Sequence, residues 1–341
     1  MPRLPVIFKA GSRARGAGFQ SGNKIWDNTG RMRTYLFKRL LLSLPVAAGV
    51  LVLVFLLLHL VPGDPVEAML SESASAVDRE RLREALHLND PLPEQFGRFV
   101  ADLATGRLES ITTRQPVLPE VWAKLRATAL LALCALAVSL SVALPLGVVA
   151  AVRRGSGLDA AAMGFSLLGA ALPSFWLGPM LALVFSIQLG WLPVSGAGGP
   201  AHLVLPSLTL GLGMAAIVSR MVRGTLLDVL QEDYLRAARA KGLAERTVIL
   251  RHALRNTLIP TITIVGLQAG ALLSGAIITE TIFAWPGIGR LLIDAIKARD
   301  YPKVQAAVLA IALCYVAVNL VTDLAYALAD PRVRFAGHDE G

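Results

Sequence analysis

The sequence is poor in the residue types that build disulfides, metal centres and nucleotide sites. Cysteine occurs only at Cys134 and Cys314, each inside an apolar run, where a thiol behaves as a small hydrophobic side chain. The five histidines lack the spacing of metal ligands. No glycine-rich loop is followed by Lys-Ser or Lys-Thr, so the chain does not hold ATP in a P-loop of its own. We therefore expect no cofactor, no metal and no catalytic residue.

Charge is also scarce. Only 17% of the residues are charged, whereas soluble domains carry about 25%. The deficit is concentrated in long uncharged runs, and roughly 20 helical residues suffice to cross a bilayer. Six apolar runs qualify, at 40–61, 127–152, 160–189, 203–221, 256–279 and 304–322, and all are uncharged except for Arg220 in the fourth. The sequence predicts an all-α polytopic membrane protein with six transmembrane helices.

Basic residues indicate which side of the membrane each segment faces. Lys and Arg cluster before the first run, between the second and third, between the fourth and fifth, and in the tail. The positive-inside rule makes these segments cytoplasmic, and with them both termini. The net charge of +9 then reflects topology, and we expect membrane lipid rather than nucleic acid around the chain.

These boundaries divide the chain into successive parts. They are a polar, disordered cytoplasmic extension (1–33), the first span (34–61), an outer loop (62–126), a five-helix core (127–330) with an inner loop at 222–257, and a cytoplasmic tail (331–341). The first 30 residues contain no apolar region and so do not form a secretory signal. Met32 precedes a basic stretch and the first span, which suggests the hypothesis that translation begins there.

Two outer segments have amphipathic patterns. In the outer loop, a capping-box pattern at 75–78 precedes a predicted helix over 79–88, and a second helix is predicted over 94–103. These helices form either a packed lid or a docking surface. After the fifth run, a Pro286-Gly287 turn precedes a helix over 288–299. Trp285 is expected at the membrane interface, as an anchor or as part of a gate.

The long inner loop has the composition of an ordered segment. A helix is predicted over 226–241, with Glu232 four residues before Arg236, the favourable order for an ion pair. Gly242 follows Lys241, as is typical of a helix that ends in the left-handed conformation. Small side chains that would let another protein approach closely occur at Ala237, Ala238 and Ala240. Composition alone allows either a docking helix or a solvated surface helix.

This loop resembles that of the inner-membrane permeases of binding-protein-dependent ABC importers. The general family pattern is E-A-A-x-x-x-G; here Ala237, Ala238 and Gly242 match, and Arg236 replaces the glutamate. The dipeptide and oligopeptide class reads D-Y-x-R-x-A-R-A-K-G and then R-H-A-L-R-N, which residues 233–242 and 251–256 match. Further similarities lie at 62–65, 106–117, 279–290, 299–302 and 330–334. The long outer loop resembles the first of the two permeases in such systems.

The resemblance implies a transport subunit rather than an enzyme. Its implied partners are a second, homologous permease, two ATP-hydrolysing subunits and an extracytoplasmic binding protein that delivers dipeptides or oligopeptides. The residues implied in ATPase coupling are Glu232, Asp233, Tyr234, Arg236, Ala237, Ala238, Lys241, Gly242, Arg251, His252 and Asn256. Similar chains carry nickel, glutathione or other small solutes, and the residues do not exclude these.

Few ionisable residues fall within the predicted spans. Asn319 and Asp323 lie four apart near the inner end of the last run, where Asp323 is placed to pair with Arg220 or Arg223. We expect a structural pair rather than a substrate contact. A secondary transporter would normally show acidic or histidine residues near mid-membrane. A membrane scaffold without transport activity would leave the helix at 234–242 without a partner.

Overall fold

A computed structural model of the chain describes residues 26–60 and 88–329, together with the isolated residues 66, 77, 80, 83 and 84. Side chains are described over 39–56 and 88–326, except at 274, and at the isolated residues. The capping box at 75–78, most of the helix predicted over 79–88 and the tail at 331–341 lie outside the described residues. Within them, secondary structure is helical apart from one bridge between Glu109 and Pro116.

The helices are named here in chain order. They are α1 (Trp26–Leu60), α2 (Leu92–Thr105), α3 (Val117–Val152), α4 (Gly157–Ala171), α5 (Ser174–Ala182), α6 (Ala201–Val229), α7 (Asp233–Ala240), α8 (Leu254–Ile282), α9 (Ile288–Lys297) and α10 (Tyr301–Ala329). A π-helical segment, Leu183–Gln188, continues α5. A short helix, Glu245–Thr247, and a second π-helical segment, Val248–Ala253, lead into α8.

The described residues contain five helical stretches long and apolar enough to cross a membrane. They are Arg39–Leu56, Val117–Val152, Ala201–Val229, Glu245–Leu273 and Tyr301–Tyr326. The apolar run at 160–189 instead forms two helices, α4 and the extended α5, which meet at 105° and could together count as a sixth span. The break falls at Leu172, which is extended because a residue before proline disfavours the helical conformation. The prediction of one uninterrupted helix over 160–189 is therefore wrong.

Several helices extend beyond the uncharged runs that predicted them. α3 begins at Val117 rather than near 127, and α6 continues to Val229 rather than ending near 221. α1 begins at Trp26, ahead of residue 34, where the first span was predicted to begin. Hydrophobicity marks only the part of a helix that lies in hydrocarbon. The backbone hydrogen bonds that define the helix continue into the polar regions on both sides.

Small residues bring α3 and α6 together over the most extensive helix–helix contact of the described part. α3 buries small side chains at four-residue spacing, namely Ala135, Ser139, Ala143 and Gly147. A Cβ atom on Gly147 would lie 2.7 Å from the backbone oxygen of Ser219, and one on Gly211 of α6 would lie 2.7 Å from that of Ala135. Such backbone proximity is how helices associate in lipid, where apolar burial provides little driving force.

The outer helix predicted over 94–103 is confirmed as α2, which ends at Gly106 in the left-handed conformation. Its buried Phe99 and half-buried Phe96 pack on Phe55 of α1, with ring centroids 5.9 and 5.3 Å apart. The same apolar cluster includes residues of α9 and α10. This favours the packed-lid alternative for α2.

Candidate functional site

The inner loop folds as two helices rather than as the single helix predicted over 226–241. α6 ends at Val229 and α7 begins at Asp233, with Glu232 extended between them (φ −65°, ψ 142°). Because Glu232 precedes the helix, the predicted Glu232–Arg236 ion pair does not form; Arg236 bonds instead to Asp233 at 3.3 Å. Both partners are highly exposed, at 71% and 95%, so this pair contributes little to stability.

Leu235 anchors α7 to the membrane helices. Its side chain is fully buried in a cluster with Ala151 of α3, Leu226 of α6, and Val248 and Ala253 of the π-helical segment that leads into α8. Burying a leucine contributes about 1.5–3 kcal/mol. The extended residue Glu232 changes the direction of the chain before α7, so that the Leu235 side chain reaches this cluster. One side chain therefore ties α7 to three candidate spans.

Gly242 ends α7 in the left-handed conformation that the sequence predicts, with φ +77°. The amide of Gly242 donates to the carbonyl of Arg239 at 2.9 Å, and the amide of Leu243 donates to that of Ala238 at 3.4 Å. These two bonds form a Schellman motif, which satisfies carbonyls that a helix end would otherwise leave unpaired. The motif turns the chain back toward the lead-in of α8.

Two side-chain contacts hold α7 against that lead-in. The amide of Asn256 donates to the Tyr234 hydroxyl at 2.8 Å, which joins the two sequence elements that resemble the peptide class. Arg239 donates two bonds to Glu245, of 2.9 and 3.1 Å, across the turn at Gly242. This bonding raises the pKa of Arg239 above its usual value, so the guanidinium remains charged. The α7 segment is thus bonded to α8 near its first residue and to the short helix Glu245–Thr247 near its last.

The outward face of α7 is open and carries small and charged residues. Of the three alanines, Ala237 and Ala240 are exposed, whereas Ala238 is half-buried and packs against the Leu235 cluster. The other exposed residues predicted for coupling are Glu232, Asp233, Tyr234, Arg236, Lys241, Gly242, Arg251 and Asn256. His252 is half-buried. Leu243 adds an apolar tip that is 41% exposed. These residues leave one face of α7 open to contact with another protein.

The polar pair predicted near the inner end of α10 has a different partner. Asp323 accepts a hydrogen bond from Arg39 of α1 at 3.1 Å, and not from Arg220 or Arg223. Arg220 is exposed and Asn319 is half-buried. The reason is packing, since α10 lies against α1. The pair therefore joins the first and last helices of the described part.

Arg223 pairs instead with Asp159, a residue that the sequence reasoning missed. The guanidinium donates two bonds to this carboxylate, of 2.6 and 2.8 Å. Asp159 is buried and also accepts from the amide of Gly155 at 2.9 Å. The sequence signal for Asp159 was its place three residues after Ser156. The Ser156 side chain caps α4 by accepting a hydrogen bond from the amide of Asp159. This pair fixes the first turn of α4 to α6.

Comparisons with known proteins agree with the presence of several candidate membrane-spanning helices. Residues 143–335 match the family described as binding-protein-dependent transport system inner membrane component, and residues 32–141 match the N-terminal family of such components. The chain belongs to this family of ABC importer permeases. It is a multi-pass transport subunit of the inner membrane and not itself an enzyme.

Named relatives align over 89% of this chain. The glutathione transport system permease protein of Pectobacterium atrosepticum is 44% identical over 305 residues, which cover 100% of that protein. The di/tripeptide transport system permease protein of Pseudomonas aeruginosa is 44% identical over 335 residues, or 99% of its length. The dipeptide transport system permease protein of Alkalihalophilus pseudofirmus is 40% identical over 333 residues, or 100% of its length.

Proposed function

We propose that this chain moves small peptides, of the dipeptide or glutathione type, across the inner membrane, and that α7 receives the force of ATP hydrolysis from a separate subunit. The names of its relatives support the substrate class. The observation that carries the coupling role is the position of α7. One face is exposed, while Leu235 on the other is packed among three candidate spans.

The topology that fits this role has six crossings, with α4 and α5 together counted as one. Both termini and α7 are then cytoplasmic, because the basic residues of the inner loops lie on one side. The outer side carries α2 and α9. A heterodimer with a second permease, two ATPase subunits and an extracytoplasmic binding protein completes the importer, consistent with a family of binding-protein-dependent components.

The coupling follows from the contacts of α7. A displacement of α7 by a docked ATPase reaches α3, α6 and the π-helical segment that leads into α8, since Leu235 is buried in one cluster with residues of all three. The Tyr234–Asn256 and Arg239–Glu245 bonds prevent α7 from turning independently of α8. Rigidity therefore comes from packing and cross-links, and not from a helix continuous with α6.

The docking face is tested by site-directed cross-linking in a background with Cys134→Ala and Cys314→Ala. A photo-activated cross-linker on Ala237→Cys is expected to capture a subunit that mass spectrometry identifies by its phosphate-binding loop as an ATPase, because Ala237 is exposed. Ala238→Cys, half-buried beside Leu235, is the matched control and should capture much less. Equal capture at the two positions, or none at Ala237→Cys, would contradict the proposed face.

The substrate class is tested by uptake. Deleting the gene should abolish most of the uptake of a labelled dipeptide, of labelled glutathione, or of both, and expression of the full chain should restore it. Nickel uptake in the same strains serves as the control for the alternative solute. Loss of nickel uptake with peptide uptake unchanged would reassign the substrate while leaving the coupling role intact.

A further inference from the structure

The outer end of α8 contains a buried carboxyl group that joins three helices. Glu280 is fully buried, with 0% exposure. One of its oxygens accepts from the hydroxyl of Thr128 on α3, and the other accepts from the amide of Arg290, in the first turn of α9, at 3.0 Å. The hydroxyl oxygen of Thr128 in turn accepts from the amide of Ile288 at 2.8 Å. Glu280 and Thr128 together hold the start of α9.

The backbone around this group is packed too closely for any side chain. A Cβ atom on Gly287 would lie 2.0 Å from Oε1 of Glu280, and one on Gly289 would lie 2.7 Å from the Cα atom of Ile277. α9 therefore begins in direct contact with the last turns of α8. We call Thr128, Glu280 and residues 287–290 the outer junction.

Trp285 reinforces the outer junction from the turn between α8 and α9. It is 5% exposed, and its indole donates to the carbonyl of Ala127 at 3.0 Å. Its ring packs inside the protein, in the same apolar cluster as Leu131 and Ala135 of α3. The carbonyl of the neighbouring Phe283 accepts from the amide of Gly196 at 2.8 Å, which adds the outer loop before α6.

α8 connects the two regions, because its last turns lie in the outer junction and its first turn contacts α7. α8 is a continuous helix of 29 residues with Pro260 in its second turn, about 43 Å long at 1.5 Å per residue. At its inner end, Asn256 bonds to Tyr234 and the neighbouring Ala253 packs on Leu235. A displacement of α7 therefore acts on the first turn of α8, and the last turn of α8 is bonded to α9.

α9 forms one wall of an outer cleft of about 320 Å³. From α9 the lining includes Arg290, Leu291, Asp294 and Ala295. Glu120 and Lys124 of α3 and Lys303 of α10 also line the cleft. Lys303 bridges to Glu120 at 3.0 Å. A shift of α9 relative to α3 would change the width of this cleft.

We propose that Glu280 is a positioning residue that transmits displacement of α8 to α9 and the outer cleft, an inference that rests on the proposed coupling role of α7. A carboxyl group suits the position because its two oxygens accept from Thr128 and from the first turn of α9 at once. Glutamine has only one acceptor oxygen, so it could accept from either the Thr128 hydroxyl or the Arg290 amide. Its NH2 group would then face the other of these two donors. The outer junction thereby makes the cleft respond to α7.

The test uses the assembled importer in lipid vesicles, with spin labels on Trp122→Cys of α3 and Ile296→Cys of α9. Both parent residues are exposed, at 56% and 53%, and Cys134 and Cys314 are replaced by alanine. In the otherwise unchanged chain, a non-hydrolysable ATP analogue should shift the distance between the labels. Glu280→Gln should abolish that shift and lower uptake about tenfold, with hydrolysis retained, because bonds to a buried carboxyl group are lost.

A matched pair at Thr128 keeps the test decisive if Glu280→Gln fails to fold. Thr128→Val removes the hydroxyl at nearly constant volume and should abolish the nucleotide-dependent shift, whereas Thr128→Ser keeps the hydroxyl and should retain it. A shift that persists in Glu280→Gln and Thr128→Val overturns the proposal, and so does its absence from the unchanged chain. Failure of the coupling role itself would be distinguishable, because Ala237→Cys would then capture no ATPase.

Discussion

Replacing Gly242 with valine is expected to abolish most substrate uptake while the protein still inserts and its ATPase partners still hydrolyse ATP. Gly242 has φ +77°, a conformation that is strained for an L residue and most strained for a β-branched one. The cost is about 1–3 kcal/mol, enough to unwind the end of an eight-residue helix. The Schellman motif and the Arg239–Glu245 bridge beyond it would then be lost, and α7 would no longer move as one body with α8.

The matched control is Gly242→Asn. No atom lies within 4 Å of a Cβ built at this position, so the effect of valine comes from the backbone and not from a clash. Asparagine adopts the left-handed conformation more readily and should therefore keep much more uptake than valine. Uptake and ATP hydrolysis are measured on the same vesicles. Unchanged uptake with valine would refute the role of this turn, and equal losses in both variants would refute its conformational basis.

The existence of the membrane helices was predictable because hydrophobicity is a local property of the chain. Each uncharged run proved to be helical over most of its length. The directions of the helices were harder to predict from the sequence, as the bend between α4 and α5 shows. Pro173 is a visible signal for a break, but composition does not indicate the angle at which the chain continues. That angle is set by packing against α6 and α8.

The two ends of α7 show the same contrast between local and tertiary causes. Gly242 was predictable because the left-handed conformation is a requirement of one residue. The break before Asp233 was not, since residues 226–241 have helical propensity throughout. It results from the burial of Leu235 among residues of three other helices. Likewise, Ala237 and Ala238 are equivalent in sequence, and only the packing shows that Ala238 faces inward.

The polar pairs were the least predictable part of the structure. Asp323 bonds to Arg39, which lies 284 residues away, and Asp159 bonds to Arg223, which lies 64 residues away. A sequence lists the possible partners but does not choose between them until the helices are packed. The buried Glu280 directly follows the fifth apolar run, but the three-helix junction around it depends on contacts that a single sequence does not specify.

Gly211→Ala is expected to weaken the contact between α3 and α6 and to lower both the stability and the yield of folded protein. The added methyl group would lie 2.7 Å from the carbonyl oxygen of Ala135 and 2.8 Å from Cγ1 of Val138. The first of these atoms belongs to a helix backbone and cannot rotate away, so the two helices must separate. Overpacking of this kind costs about 1–3 kcal/mol. The loss is large here because van der Waals contact, rather than apolar burial, holds helices together in lipid.

Gly213→Ala is the matched control, two residues further along α6, where no atom lies within 4 Å of an added Cβ. Both changes replace glycine by a better helix former, so propensity alone would stabilise both variants. Thermal unfolding in detergent, followed by size-exclusion chromatography, should show a lower midpoint for Gly211→Ala and an unchanged or higher one for Gly213→Ala. Equal midpoints would mean that the α3–α6 contact is loose enough to accommodate a methyl group. The cluster around Leu235 would then have to hold α7 without a rigid pair of helices behind it.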